Sequence, residues 1–241
     1  AALLFNIKLP VNFFSPYKSK SIQEFWRRWH MTLGRFFTNY IYIPMGGSRN
    51  GRTRTYLNLF IVFFVSGFWH GAGWTFVVWG VMHGLAIVIH RIYKDLNLKM
   101  PDILGWVLTM GFVHFAWVFF RAQTVSDAVF LIKRMFNPDY LYLSEKVLQM
   151  IPETLNSTST IANISFIIID SLPFQVEGSA FNFQTLLYLL IGIVIVLFTK
   201  NSIEKLEAFR PKVSYAVSTA FMFVLAIMYL NRVSTFLYFN F

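Results

Sequence analysis

Three features make this chain an all-α, polytopic membrane protein with about five membrane segments. It is 56% hydrophobic and 13% charged, against roughly 25% charged in a soluble domain, and its mean hydropathy is +0.54. Its apolar residues form long uncharged runs. Such runs select helices over a barrel, whose strands would show segments of about ten alternating residues. Its formal charge of +10 lies between those runs rather than within them.

The longest run, residues 55–90, has no Asp, Glu, Lys or Arg. A helix rises about 1.5 Å per residue against a hydrocarbon core of about 30 Å, so this is too long for one span. Gly71-Ala72-Gly73 divides it into 55–70 and 74–90, each slightly short for a perpendicular crossing. A helix hairpin or a broken helix at membrane depth is therefore expected. Three further segments, 103–120, 178–199 and 213–231, have charged residues at both ends.

Ahead of these runs, residues 21–40 suit an interfacial amphipathic helix. At 100° per residue Phe25, Trp29, Leu33, Phe36, Phe37 and Tyr40 fall within an arc of about 120°, with Glu24, Arg28 and Arg35 opposite and His30 on its rim. Ser21 and Glu24 have the spacing of a capping box. Pro44 and "GGSRNGR" then make a basic turn-rich loop.

Nine of the Lys and Arg residues lie in 1–54, against Glu24 alone, and loops 91–102 and 200–212 are also basic. Loop 121–177 has six acids against four bases. If 55–90 crosses twice, every basic loop falls on the cytoplasmic side, as the positive-inside rule requires. The charge then faces anionic lipid of the bilayer, and nucleic-acid binding, which needs a solvated basic domain, is not expected. There is no cysteine, so disulfides and thiolate metal sites are excluded. The chain has no Walker loop, no G-x-S-x-G elbow and no His-Glu-x-x-His. The abrupt apolar start "AALLFNIKLP" reads as the continuation of a longer hydrophobic segment, so the chain is expected to be the carboxy-terminal portion of a larger polypeptide.

The candidate chemistry lies in "SGFWHGAGW", residues 66–74, where His70 stands at the helix break among Gly67, Gly71 and Gly73. An ionisable group inside a membrane is costly and points to function. Irregular backbone at that depth must be buried in protein or line a cavity. His90, beside Arg91, reads as interfacial, and His83 and His114 suit hydrogen bonds between helices. A metal site from His30, His70 and His83 would lack any carboxylate or thiolate at ligand spacing, so no metal is expected.

At these residues a resemblance emerges. "LPVNFFSPYKSKSIQEFWRRWHMTLGRFFTNYIYIPMGGSRNGRTR", "NLFIVFFVSGFWHGAGWTFVVWGVMHGLAIVIHR", "WVFFRAQTVSDA" and the closing "TFLYFNF" resemble, in order, the membrane-bound O-acyltransferase family. The likeness is to its bacterial branch, which includes the alginate O-acetylation and teichoic acid D-alanyl transfer proteins. "FWRRWH", "YIPMGGSR" and "WVFFRA" favour the polysaccharide acetylation side.

The resemblance implies one domain over residues 1–241: a basic cytoplasmic or interfacial region at 1–54, catalytic-core helices at 55–120, an outer loop at 121–177, and two terminal membrane helices at 178–241. It implies a multi-pass protein of the bacterial cytoplasmic membrane that moves an acyl group, expected to be acetyl, from a cytoplasmic donor to hydroxyls of an exported polysaccharide. The histidine of the tryptophan-histidine-glycine motif, His70, would be catalytic, with His30, which ends arginine-arginine-tryptophan-histidine, as its functional partner. A neutral imidazole is a suitable general base, and an apolar surround favours the neutral form. Trp69, Trp74, Asn39 or backbone N–H groups near Gly71–73 are candidate donors to the oxyanion, and Arg27 and Arg28 are candidate substrate-binding residues. No bound cofactor is expected. The acyl donor, acetyl-CoA or an acyl carrier, is a co-substrate, and an extracytoplasmic acetyltransferase is an expected partner. Two other readings stay open: a proton-coupled transporter, which also uses broken helices and buried histidines, and a non-catalytic scaffold or acyl relay for an outer transferase.

Overall fold

A computed structural model describes residues 5–137 and 183–229, the side chains of the second stretch from Leu187 to Met228. The described backbone is helical, with no strand among these residues. It divides into two compact units, Ala1–Thr199 and Lys200–Phe241.

The uncharged run forms a hairpin rather than a broken single span. After an amino-terminal pair of helices, α1 (Ile22–Arg28) and α2 (Met31–Phe37), the chain makes α3 (Gly51–His70) and α4 (Trp74–Asp95). Glycines let α3 and α4 approach backbone to backbone. A Cβ on Gly67 would stand 2.5 Å from the Phe76 carbonyl oxygen, and one on Gly80 would stand 2.7 Å from that of Phe63. Small residues at such crossings let membrane helices gain contact that lipid tails would otherwise supply. At the other end Tyr56 donates to the Asp95 carboxylate at 2.8 Å, and Arg91 pairs with it at 3.3 Å.

The expected single helix over 21–40 does not form. It breaks at Trp29 and His30, where His30 adopts φ 47°. The preceding segment of chain supplies the lost partners. Phe14 N–H donates to the Arg28 carbonyl at 2.9 Å, and Met31 N–H donates to that of Asn12 at 2.8 Å. The Asn12 side-chain oxygen accepts from Thr32 N–H and Thr32 hydroxyl at 3.2 and 2.8 Å, capping α2 from outside the helix. With these bonds made elsewhere, helical continuity through Trp29 is no longer needed. Half of the expected capping box is present: Ser21 accepts from Glu24 N–H at 3.1 Å, while the Glu24 carboxylate takes the Lys20 N–H instead. The break also ends the continuous apolar arc. Phe25 is buried in protein together with Ile22, Ile87, Met110 and Val113, whereas Phe36 and Tyr40 are exposed on α2 and the π turn Thr38–Tyr42 that extends it.

α5 (Asp102–Arg121) packs beside α4, and α6 (Val125–Met135) follows, opened by a full Thr124–Asp127 capping box. α4 and α5 are each long and apolar enough to cross a membrane, yet only 33% of the most apolar stretch of each is buried in the protein. Leu85, Ile89, Ile103 and Leu108 stay exposed. A helix apolar on both its packed and its open face suits lipid. The expected segments at 178–199 and 213–231 correspond to α7 (Phe183–Phe198) and, in the second unit, α9 (Val213–Tyr229), both uncharged. The short α8 (Ser202–Glu207) precedes α9 with an Asn201–Glu204 capping box. Most of loop 121–177, together with the closing "TFLYFNF", lies outside the described residues.

Asn58 anchors the basic turn-rich loop. Its side chain is fully buried, and its Nδ2 donates to the carbonyls of Met45 and Gly47 at 3.2 and 2.9 Å. Gly46 and Gly47 hold positive φ values of 97° and 54°, as the turn demands. Replacing Asn58 by leucine removes both donors and is expected to cost about 1–3 kcal/mol. Trypsin cleavage after the exposed Arg49 should accelerate in membranes carrying this variant. Unchanged cleavage would mean that the loop is held by other contacts.

Candidate active site

The break in the amino-terminal helix and the turn of the hairpin bring the two sequence-predicted histidines into one region. His30 occupies the joint between α1 and α2, and His70 is the last residue of α3. The two elements meet where Phe37 of α2 packs edge-on against Trp69, the residue before His70, with ring centroids 6.4 Å apart. His70 is partly buried among rings, with Trp69 at 5.0 Å, Trp79 at 5.2 Å and Phe120 at 5.0 Å between centroids, all edge to face. The His30 Nδ1 is buried with no hydrogen-bond partner, and burial pulls its pKa below the ordinary histidine value of 6.5. His30 therefore stays neutral at neutral pH and gains its charge only under acid conditions.

A cavity of about 490 Å³ lies against His30. α1, α2 and the π turn form one wall, and α3 with α4 forms the other. Leu33, Phe37, Leu59, Val62, Phe63 and Ile87 make it largely apolar, while Arg27, Arg35, His90 and Arg91 bring basic groups. It reaches Ser66, one helical turn before His70. An apolar chamber with a basic margin suits a flexible chain with an anionic head.

Among the other sequence-predicted residues, Arg27 lines this cavity. Arg28 is engaged elsewhere, paired with Glu24 at 2.8 Å and donating to the Phe14 carbonyl at 3.4 Å. Trp69 touches His70 and Phe37, and is 56% exposed; Trp74, on the first turn of α4, is 76% exposed. Asn39 is exposed in the π turn. His83 makes the expected bond between helices, accepting from the Trp26 indole N–H at 3.2 Å. His114 does not: its Nδ1 bonds the Met110 carbonyl of its own helix at 2.7 Å.

The sequence reading missed His90 and Arg91 as cavity residues and Asn12 as the cap that stabilises the kink. His90 and Arg91 carried a signal, since they lie where the hairpin's second helix meets the basic loop. Asn12 carried none, because its partners are 20 residues away.

A model of the MBOAT, membrane-bound O-acyltransferase family, matches residues 3–125, which hold the kinked pair, the hairpin, α5 and the cavity. The chain belongs to this family. Relatives of this family member include the peptidoglycan O-acetyltransferase of Helicobacter pylori, 53% identical over 137 residues that make up 55% of this chain and 26% of the relative. The probable alginate O-acetylase AlgI of Pseudomonas putida is 39% identical over 144 residues, 59% of this chain and 30% of that protein. The teichoic acid D-alanyltransferase of Streptococcus thermophilus is 34% identical over 94 residues, 36% of this chain and 23% of its own. The family member therefore spans less than a third of the length of each of these relatives.

Proposed function

We propose that this chain carries the reaction centre of a multi-pass O-acyltransferase of the bacterial cytoplasmic membrane, one that moves an acetyl group from a cytoplasmic thioester to a hydroxyl of a cell-surface polysaccharide. The observation that carries this reading is His30 on the wall of a basic-rimmed apolar cavity that reaches Ser66, one helical turn before His70. The named activities of the peptidoglycan and alginate relatives support the acetyl group and the polysaccharide acceptor.

In this reading the basic end of the cavity, by Arg91, faces the cytoplasm, and about five segments cross the membrane. The donor's anionic portion meets Arg27, Arg35 and Arg91 while the arm that carries its thioester lies along Leu59, Val62 and Phe63. The acceptor hydroxyl approaches His70 from the opposite side. His70 takes the hydroxyl proton as the oxygen attacks the thioester carbonyl. The tetrahedral oxyanion collapses, the C–S bond breaks, and the thiolate leaves with the proton returned by the imidazolium. Trp69 and the backbone N–H groups of residues 72 and 73 are candidate donors to the oxyanion, the Gly71 N–H already donating to the Phe68 carbonyl at 3.2 Å. His30, neutral and on the cavity wall, orients His70 or shares its proton. An outer acetyltransferase completes the system if the final acceptor lies beyond reach of the membrane site.

The test is reconstitution of the full-length parent in liposomes with labelled acetyl-CoA or acetylated carrier protein inside and polysaccharide outside. Acetyl ester appearing on the polymer supports the reading. Acetyl accumulating outside only when a partner transferase is added would make the chain a relay. Donor-independent solute flux would favour a transporter.

A further inference from the structure

His83 is fully buried inside α4, and it faces rings on several sides: Trp26 at 5.0 Å, Trp79 at 4.7 Å, Phe112 at 5.1 Å and Phe63 at 6.3 Å. Its Nδ1 accepts the Trp26 indole N–H at 3.2 Å. An imidazole nitrogen that accepts carries a lone pair, so this histidine is neutral and its proton sits on Nε2. That Nε2 is buried with no hydrogen-bond partner. An aromatic side chain of similar shape would fill the same space without an orphaned N–H, whose burial costs stability. The feature that phenylalanine cannot supply is the acceptor for Trp26.

Trp26 and Trp79 are the two places where this acceptor matters. Trp26 lines the cavity and sits on α1, four residues before His30 in the chain. Trp79 is 3% exposed and stands between His83 and His70, with ring centroids at 4.7 and 5.2 Å, and it packs edge-on to Trp26 at 5.8 Å. The Trp79 indole N–H is also buried without a partner, so its position depends on the rings around it. His83 thus joins the helix leading to His30 to the ring packed against His70.

We propose that His83 is a positioning residue: its bond to Trp26 sets the spacing between His30 and His70 and so the alignment of the reacting pair. The proposal rests on the acyl-transfer reading above. Because the link acts on alignment and leaves the basic margin of the cavity intact, it governs turnover more than donor binding.

The experiment uses the full-length parent in membranes, with donor kcat and KM measured alongside membrane abundance and detergent melting. The variants are His83→Phe, His83→Asn, Trp26→Phe and the double variant His83→Phe/Trp26→Phe, with His70→Ala as reference. His83→Phe is expected to lower kcat by about tenfold or more, the scale expected for a misaligned reacting pair, with KM within about twofold. His83→Asn, whose side-chain oxygen can accept from Trp26, should recover most of that loss. Trp26→Phe should match His83→Phe, and the double variant should be no worse than either, since both remove one interaction. An unchanged kcat in His83→Phe, an additive double variant, or an asparagine as poor as phenylalanine would overturn the proposal. If His83→Phe fails to accumulate, Trp26→Phe with and without His83→Asn decides it by the same criteria. Activity retained in His70→Ala would instead bring down the acyl-transfer reading, whereas its loss with a silent His83→Phe rejects the positioning role alone.

Discussion

Replacing His70 by alanine in the full-length parent is expected to reduce polysaccharide O-acetylation by about 10²–10⁴-fold at unchanged membrane abundance, the range typical for removing a positioned general base. The site favours this outcome. His70 ends α3 at the hairpin turn, partly buried among aromatic rings and one turn beyond the cavity-lining Ser66. Few other groups nearby can take a proton: the rings around it are Trp69, Trp79 and Phe120, none of them basic. Cells lacking the native protein and complemented with wild type or His70→Ala give the comparison, with ester content of the polymer and a membrane blot as readouts. Acetylation retained at equal abundance would reduce His70 to a packing residue and move the transporter and scaffold readings ahead. His30→Ala should show a smaller loss, because a neighbour that orients the base is less costly to remove than the base.

The second large effect is on the hairpin itself. Gly67→Ala is expected to destabilise the protein by about 1–3 kcal/mol or more, the scale of overpacking against groups that cannot yield. The new methyl would meet the Phe76 carbonyl oxygen at 2.5 Å and the Gly80 Cα at 3.1 Å, both backbone atoms. Relief requires α3 and α4 to separate, which would also pull His70 from Trp79. Gly111→Ala is the matched control: it too lies within a helix, and a Cβ there meets nothing within 4 Å. It gains helix propensity, about 1 kcal/mol by the host–guest scales. Melting in detergent should therefore fall for Gly67→Ala and hold or rise for Gly111→Ala. Equal melting temperatures would show that the hairpin tolerates a wider crossing than its geometry implies.

Much of this protein is legible along the chain itself. The absence of charge over residues 55–90, interrupted by Gly71-Ala72-Gly73, implies two helices and a turn, because the run is too long for one span and its glycines are where a helix most readily ends. Clustering of Lys and Arg ahead of that run, and the histidine at its break, are likewise visible in the sequence. These are local signals: hydropathy, charge and helix-breaking act over a few residues. The kink at His30 is not legible in this way. Its residues have good helical periodicity, and only partners contributed by Asn12 and Phe14, well upstream in the chain, make breaking the helix cheaper than continuing it. The cavity and the His83–Trp26 bond likewise depend on packing between elements, separated by 57 residues in the case of that bond. Such contacts depend on which faces meet when helices pack, and the periodicity of one helix does not record its neighbour.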